Sequence, residues 1–128
     1  MQSFREPQVI LFSDDLPRIV EFYSMLGFTE VFRVPVDDEL IHVDLVLDGY
    51  KIGFSSMASS RDDHGLHPAT EGQRATITLW TDDTPSAYRE LVENGAPALA
   101  PPHVWLDRLL IAWTADPDGN PIQIVQSL

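Results

Sequence analysis

The chain has 128 residues, the length of one domain or of two small half-domains sharing a core, and 44% of them are hydrophobic. Its 20 acidic and 8 basic residues give a net charge of −12, which argues against nucleic acid or an anionic membrane as a partner and would attract a cationic ligand. The alternative is that the acids only keep the surface soluble. The lack of cysteine excludes disulfides, thiolate metal sites and cysteine nucleophiles, and makes the cytoplasm the expected location. No apolar run is long enough to span a membrane, and the beginning of the sequence, MQSFREPQVI, lacks the layout of a signal peptide.

The first half of the chain predicts the element order β-α-β-β-β. A strand-like run, QVILF, comes first, and Asp15 is the expected N-cap of a helix that follows it. Apolar residues recur at helical spacing in that helix, at Ile19, Phe22, Tyr23 and Leu26. Gly27 suits the left-handed residue that ends a helix. Three further strand-like runs are FTEVFRV, LIHVDLVL and YKIGFSS.

The second half repeats this pattern. Residues 81–95, TDDTPSAYRELVENG, align without a gap on residues 13–27, SDDLPRIVEFYSMLG. Thr84 suits the N-cap of the second helix, Pro85 its first turn and Gly95 its end. The run ATITLW precedes this helix. It is followed by weak strand signals near residues 98–104 and then by two strand-like runs, RLLIAWT and PIQIVQS.

Two β-α-β-β-β modules therefore make up one domain over residues 1–128. The first module covers about residues 6–56 and the second about residues 73–128. Residues 57–72 between them are rich in Ser, Asp, His and Gly, show no periodicity and are expected to be an irregular linker.

Two motifs carry a resemblance to a known family. The helix end FYSMLGF (residues 22–28) and the turn DPDGN (residues 116–120) before the last strand resemble the vicinal oxygen chelate superfamily. That group contains glyoxalase I, extradiol dioxygenases and the bleomycin-resistance proteins. The resemblance covers nearly the whole chain and implies an α+β fold, in which two βαβββ modules form a curved mixed sheet around a cleft.

The resemblance also marks the positions of the family's metal ligands. Metal-using relatives take His or Gln from the first strand of each module and Glu from the last. These positions fall on Gln8, Gly53, Thr76 and Gln123. Because hard or borderline divalent metals prefer carboxylates and imidazoles, this uncharged set predicts that the site is metal-free and that no cofactor is held. Gln8 and Gln123 could orient a ligand through their amides, or bond to each other or to water.

The alternation of polar and apolar residues predicts which side chains face the cleft. In LIHVDLVL, His42 and Asp44 share one strand face, which the resemblance places inward, although an exposed polar pair is the alternative. The predicted ligand-binding residues are Gln8, Phe12, His42, Asp44, Thr76, Trp80, Trp105 and Gln123, with Phe54 and Trp113 as further wall residues. Such an aromatic and amide-lined surface suits a flat, amphipathic or cationic molecule.

The other histidines and the serines carry weaker signals. His64 and His67 lie in the linker, where nothing regular would hold a metal geometry, and His103 is expected in a loop near the cleft. There is no Gly-x-Ser-x-Gly turn, phosphate-cradling glycine loop or histidine-flanked serine motif, so no nucleophile constellation is predicted.

These features favour a metal-free binding module that resembles the bleomycin-resistance branch. It would be a cytoplasmic homodimer that sequesters a small organic compound, such as a cationic, aromatic antibiotic. One alternative is a glyoxalase-like lyase or ring-cleaving dioxygenase that recruits ligands such as His42 and Asp44. Another is a metal-independent enzyme with His42 as general base.

Overall fold

The computed structural model describes residues 2–3, 5–72 and 75–128. The chain divides into two compact units, Met1–Thr70 and Glu71–Leu128, and each has the predicted β-α-β-β-β order. The expected start of the second module, near residue 73, lies outside the described residues. No helix in the described part of the chain is both long and apolar enough to cross a membrane.

Unit 1 contains four strands and two helices. They are β1 (Val9–Ser13), α1 (Leu16–Met25), β2 (Thr29–Val36), β3 (Glu39–Leu47), β4 (Tyr50–Ser56) and α2 (Met57–Asp62). The sheet order is β1-β4-β3-β2, in which β1 pairs with β4 in parallel and the other pairs are antiparallel.

The helix α1 covers one face of this sheet. Ile19 and Tyr23 of α1 are fully buried, as are Val43 and Leu45 of β3. The Tyr23 ring lies 5.1 Å from the ring of Phe54 in β4, measured between centroids. Because side chains alternate along a strand, the residues between these apolar positions point to the opposite face, which the helix leaves open. We call it the open face of unit 1.

Unit 2 repeats the arrangement. It contains β5 (Ile77–Trp80), α3 (Thr84–Glu93), β6 (Ala100–Trp105), β7 (Leu109–Ala115) and β8 (Pro121–Ser127). The sheet order is β5-β8-β7-β6, again with one parallel pair, β5 with β8. Ile122 and Ile124 of β8 are buried together with Leu91 of α3. The face opposite α3 is the open face of unit 2.

Both long helices have an aspartate as N-cap, directly before the first helical residue. Asp15 accepts a hydrogen bond from the Arg18 N–H at 3.2 Å, as predicted, and Asp83 accepts one from the Ser86 N–H at 3.0 Å. The predicted N-cap at Thr84 is therefore wrong by one residue. Thr84 is the first helical residue, and its hydroxyl donates to the Leu110 carbonyl at 3.1 Å instead.

The predicted helix ends are confirmed. Gly27 and Gly95 have φ of 101° and 99°, a left-handed conformation that favours glycine. The two repeats thus share their helix ends as well as their strand order.

The segment between the modules is more ordered than its sequence indicates. Residues Met57–Asp62 form α2, and the Ser56 hydroxyl caps it by accepting the Ser59 N–H at 3.0 Å. A six-residue helix is too short to show a helical period, which is why an irregular linker was the wrong prediction here. His64 and His67 follow α2 in exposed, irregular chain.

The turn before β8 determines the orientation of that strand. Asp116 and Asn120 are buried, and one carboxylate oxygen of Asp116 accepts the N–H groups of Asp118 and Asn120, both at 2.9 Å. The other oxygen accepts the Asn120 side-chain amide at 2.8 Å. This bonding fixes the register in which Ile122 and Ile124 enter the core and Gln123 lies on the open face.

Candidate functional site

The open face of unit 1 brings together residues from all four strands. Paired positions in the sheet share a face, and the register pairs Ile10 with Gly53, Asp44 with Gly53, and Phe32 with Asp44. The residues on this face that concern the site are Gln8, Phe12, Phe32, His42, Asp44, Gly53 and Ser55. The predicted alternation of His42 and Asp44 with the buried apolar residues of β3 is thus present.

A chain of hydrogen bonds links four of these side chains. The Gln8 amide nitrogen Nε2 donates to Asp44 Oδ1 at 2.7 Å. The same oxygen lies 2.8 Å from His42 Nε2, and His42 Nδ1 lies 2.8 Å from Ser55 Oγ. Asp44 is only 8% exposed, so its charge is held by these partners rather than by bulk water.

The direction of each bond follows from the chemistry of the carboxylate. As an ionised acid, Asp44 can only accept, so His42 must carry its proton on Nε2. In the neutral imidazole, Nδ1 is then the acceptor, and the Ser55 hydroxyl donates to it. With Asp44 ionised and His42 neutral, the network thus runs from Ser55 to His42 to Asp44, with Gln8 as a second donor to Asp44.

Gly53 provides the space that this network occupies. A Cβ atom at this position would lie 2.7 Å from Gln8 Nε2 and 2.9 Å from Asp44 Oδ1. Both distances are far below a normal carbon contact. A side chain at position 53 is thus incompatible with the Gln8–Asp44 hydrogen bond as it stands.

The residues on the open face of unit 2 are more exposed than those of unit 1 and make fewer hydrogen bonds to each other. Along and before β5 the exposed residues Thr76, Thr78 and Trp80 alternate with the buried Ile77 and the half-buried Leu79. Gln123 lies beside Thr78 in the register. The Thr78 hydroxyl and Gln123 Oε1 are 3.5 Å apart, at the limit of a hydrogen bond. Gln123 therefore retains most of its capacity to bond a ligand.

A groove of about 350 Å³ opens at the end of β5 in unit 2. Its walls are formed by Trp80, Thr81, Asp82, Gln126 and Ser127. Trp80 is 64% exposed, so much of this residue is accessible to solvent beside the groove. Asp82 places a carboxylate on the same groove. An aromatic surface with an acid beside it is the combination that attracts organic cations.

The remaining predicted site residues lie in different environments. Trp105 ends β6 and is 52% exposed, whereas Trp113 in β7 is half-buried. His103 lies in β6 rather than in a loop, and its ring nitrogen Nδ1 is 2.8 Å from the Pro101 carbonyl. Phe54 does not line an open face, contrary to the prediction, because it is fully buried against Tyr23.

The residues at the family's metal positions do not fit a metal ion. At position 53 there is no side chain, a Cβ there would crowd the Gln8 and Asp44 side chains, and the Gln8 amide is already turned towards Asp44. His42 and Asp44 are poor substitutes because both ring nitrogens of His42 are engaged. In the part of the chain that the structure describes, no three His, Asp or Glu side chains form a cluster that could hold a metal.

The sequence analysis missed Ser55 because no local motif surrounds it. Its partner His42 lies on the neighbouring strand, directly opposite in the register. The available signal was strand parity: Ser55 lies two residues after Gly53, on the same face, and the hairpin between β3 and β4 brings that face to His42.

Comparison with known proteins gives the family. The model of the glyoxalase/bleomycin resistance protein/dioxygenase superfamily matches residues 6–124. The chain belongs to this superfamily. The resemblance seen in the sequence and the α+β fold are thereby confirmed. No curated protein matches the chain.

Solved structures of the superfamily share the fold at low sequence identity. A glyoxalase/bleomycin resistance protein/dioxygenase from Nocardioides is 20% identical, with a TM-score of 0.77 over 98% of this chain and 87% of that one. A superfamily member from Sphaerobacter thermophilus is 28% identical, with a TM-score of 0.72 over 93% and 94% of the two chains. A lactoylglutathione lyase from Agrobacterium tumefaciens is 20% identical, with a TM-score of 0.73 over 98% and 95%.

Proposed function

We propose that this superfamily member is a metal-free binding protein that sequesters a cationic or aromatic small molecule, such as an antibiotic. Binding alone would withhold the compound from its target. The proposal includes a cytoplasmic location, in keeping with the lack of cysteine, and a homodimeric assembly.

The groove at Trp80 is the observation that carries the proposal. A flat cation that stacks on the exposed indole would also be drawn to the Asp82 carboxylate on the same groove. The net charge of −12 favours the approach of cations to any part of the surface. Gln123, on the open face of the same unit, offers a further amide for hydrogen bonding to a ligand.

The donor set supports a site that works without metal. Metal-using members of the superfamily take a charged Glu from the last strand of each module, and those two positions hold Gly53 and Gln123 here. Unit 1 has the hydrogen-bonded Gln8 amide at another of the family's metal positions, and unit 2 has an aromatic groove. Recognition of a ligand would therefore depend on stacking, hydrogen bonds and charge. This favours binding over the metal-dependent lyase and dioxygenase alternatives.

A thermal melting panel tests the proposal. Each flat cation is paired with a neutral molecule of the same shape, for example N-methylquinolinium with methylnaphthalene, in the presence of a chelator. We expect the cations to raise the melting temperature more than their neutral counterparts, and added salt to reduce the difference. No effect of any compound would contradict the proposal, and equal effects of both members of every pair would contradict its preference for cations.

Trp80→Ala identifies the groove as the binding site. Loss of the stacking surface should weaken a bound cation about 2- to 30-fold, measured by calorimetry. Because Trp80 is 64% exposed, the melting temperature of the free variant should change little. Tyr50→Ala removes another exposed aromatic ring, in unit 1, and should leave the affinity unchanged. An equal loss of affinity in both variants would rule out the groove.

A further inference from the structure

We propose that Ser55 is a nucleophile activated by His42, and that the open face of unit 1 hydrolyses small activated esters. This activity goes beyond the proposed binding function and does not depend on it. It rests on the hydrogen-bonded series Ser55, His42 and Asp44, whose members lie on adjacent strands of one sheet.

The polarity of the hydrogen bonds is the first argument. Nucleophilic catalysis by serine requires a base that accepts the hydroxyl proton and a third group that orients the base. Ser55 Oγ lies 2.8 Å from His42 Nδ1, and His42 Nε2 lies 2.8 Å from Asp44 Oδ1. With Asp44 ionised and His42 neutral, the hydroxyl donates to Nδ1 and Nε2 donates to the carboxylate. The Gln8 amide donates to the same carboxylate oxygen at 2.7 Å, so Asp44 has a second hydrogen-bond partner. The ring nitrogens serve in the reverse order of the well-known serine protease triad, but the roles are the same.

Access to the hydroxyl is the second argument. Ser55 and His42 are both half-buried on the open face, so a small molecule can reach them from solvent. Phe12 lies beside Ser55 in the register, and the Phe32 ring lies 6.2 Å from the His42 ring. These two rings provide apolar contacts on either side of the pair for a compact acyl or aryl group.

The reaction can be written with this chain's own groups and water. Ser55 Oγ attacks the ester carbonyl carbon while its proton passes to His42 Nδ1, and Asp44 stabilises the imidazolium. The carbon–oxygen bond to the leaving group then breaks, the leaving alkoxide or phenoxide takes the proton from His42, and the acyl group remains on Ser55. Water, deprotonated by His42, attacks the acyl-serine, the bond to Oγ breaks, and the proton returns to the serine.

The position of Ser55 limits the class of ester. β4 is an interior strand, so its backbone N–H groups are used in pairing with β1 and β3. They are therefore not available as the oxyanion donors that amide hydrolysis needs, which are worth about 10²- to 10³-fold in rate each. The structure accordingly favours esters with a good leaving group, such as aryl esters, over amides and peptides.

The test is a burst experiment with p-nitrophenyl acetate on the full chain. We expect a rapid release of p-nitrophenolate, close to one equivalent per chain, followed by slower turnover. Peptide mapping by mass spectrometry of the acid-quenched protein should find the acetyl group on Ser55. Lys51 lies on the same face of β4, and its amine is the main competing nucleophile. Acetylation of Lys51 or other residues, with Ser55 unmodified, would overturn the proposal.

Variants separate an activated serine from a structural hydrogen bond. Ser55→Ala should abolish the burst, and His42→Gln should slow it by on the order of 100-fold while the hydroxyl remains. Ser24→Ala removes an exposed helical serine that has no histidine partner in the described structure and should behave as wild type. A burst that persists in Ser55→Ala would contradict the proposal. So would equal rates in wild type and His42→Gln, and both results would leave the ligand-binding proposal untouched.

Discussion

Gly53 shapes the open face of unit 1 because it has no side chain. Its missing side chain gives space to the Gln8 amide and the Asp44 carboxylate, which meet at 2.7 Å above it. The family position that carries a ligating carboxylate in metal-using relatives thus holds the meeting point of two other side chains. This one residue replaces a metal ligand with part of a hydrogen-bonded network.

The substitution Gly53→Ala should disturb that network. Its Cβ would also meet Ile10 Cγ1 at 3.1 Å, so the side chains of Gln8, Asp44 and Ile10 would all have to shift. We expect a loss of about 1 to 3 kcal/mol in the free energy of unfolding, the usual effect of overpacking, measured by urea denaturation. In a Gln8→Ala background the same substitution should cost less, because the closest contact is gone. An equal cost in both backgrounds would show that the Gln8 contact does not matter.

At the scale of helices and strands, the sequence predicts most of what the structure shows. Strand parity places His42, Asp44, Gln123 and Trp80 away from the helices, because alternation in half-buried strands is a strong signal. The features that the sequence does not predict leave no repeating pattern of polar and apolar residues. α2 is six residues long, and the Ser55–His42 bond joins residues on separate strands. The N-cap of α3 differs by one residue because Asp83 and Thr84 are both good capping residues.

The cap of α3 leads to a prediction of pH dependence. The hydrogen bond from the Ser86 backbone N–H holds the pKa of Asp83 below its ordinary value of 3.8. A lowered pKa means that the cap stabilises the fold fully above the ordinary value and that this contribution is lost as the pH falls through the lowered value. Asp83→Asn keeps a capping side chain but does not titrate.

The stability difference between wild type and Asp83→Asn should therefore be constant above about pH 5 and shift in favour of the variant on acidification, by the linkage argument. Urea denaturation of the two proteins at a series of pH values measures it. Asp14→Asn, at an exposed position outside the cap of α1, is a matched control. A difference that does not change down to pH 2 would contradict the role given to this carboxylate.

At the scale of the whole molecule, a shared fold does not imply shared chemistry. The chain shares its fold with a lactoylglutathione lyase at a TM-score of 0.73 but only 20% identity. A likeness of that degree fixes the arrangement of strands and leaves the side chains on the open faces free to differ. Those side chains, together with the acidic charge, are what the proposed function depends on.

The proposed homodimer is tested by sedimentation velocity. Val31, Phe32 and Val36 of the edge strand β2 are each about half exposed, which is apolar surface that a second copy could cover. We expect the mass of two chains at micromolar concentration, and dissociation when Val31 and Val36 are both changed to lysine. Lysine at Tyr50, an exposed position in β4, which does not pair with β2, should leave the dimer intact. A monomer of wild-type protein at micromolar concentration would contradict the assembly.

The central claim is that this superfamily member binds its ligand without metal, and elemental analysis tests it most directly. Protein purified without chelator should contain well under one equivalent of zinc, nickel, manganese or iron per chain, because Gln8, Gly53, Thr76 and Gln123 offer no charged ligand. One equivalent of any of these metals, retained through gel filtration and lost together with ligand binding or activity on chelation, would contradict the account.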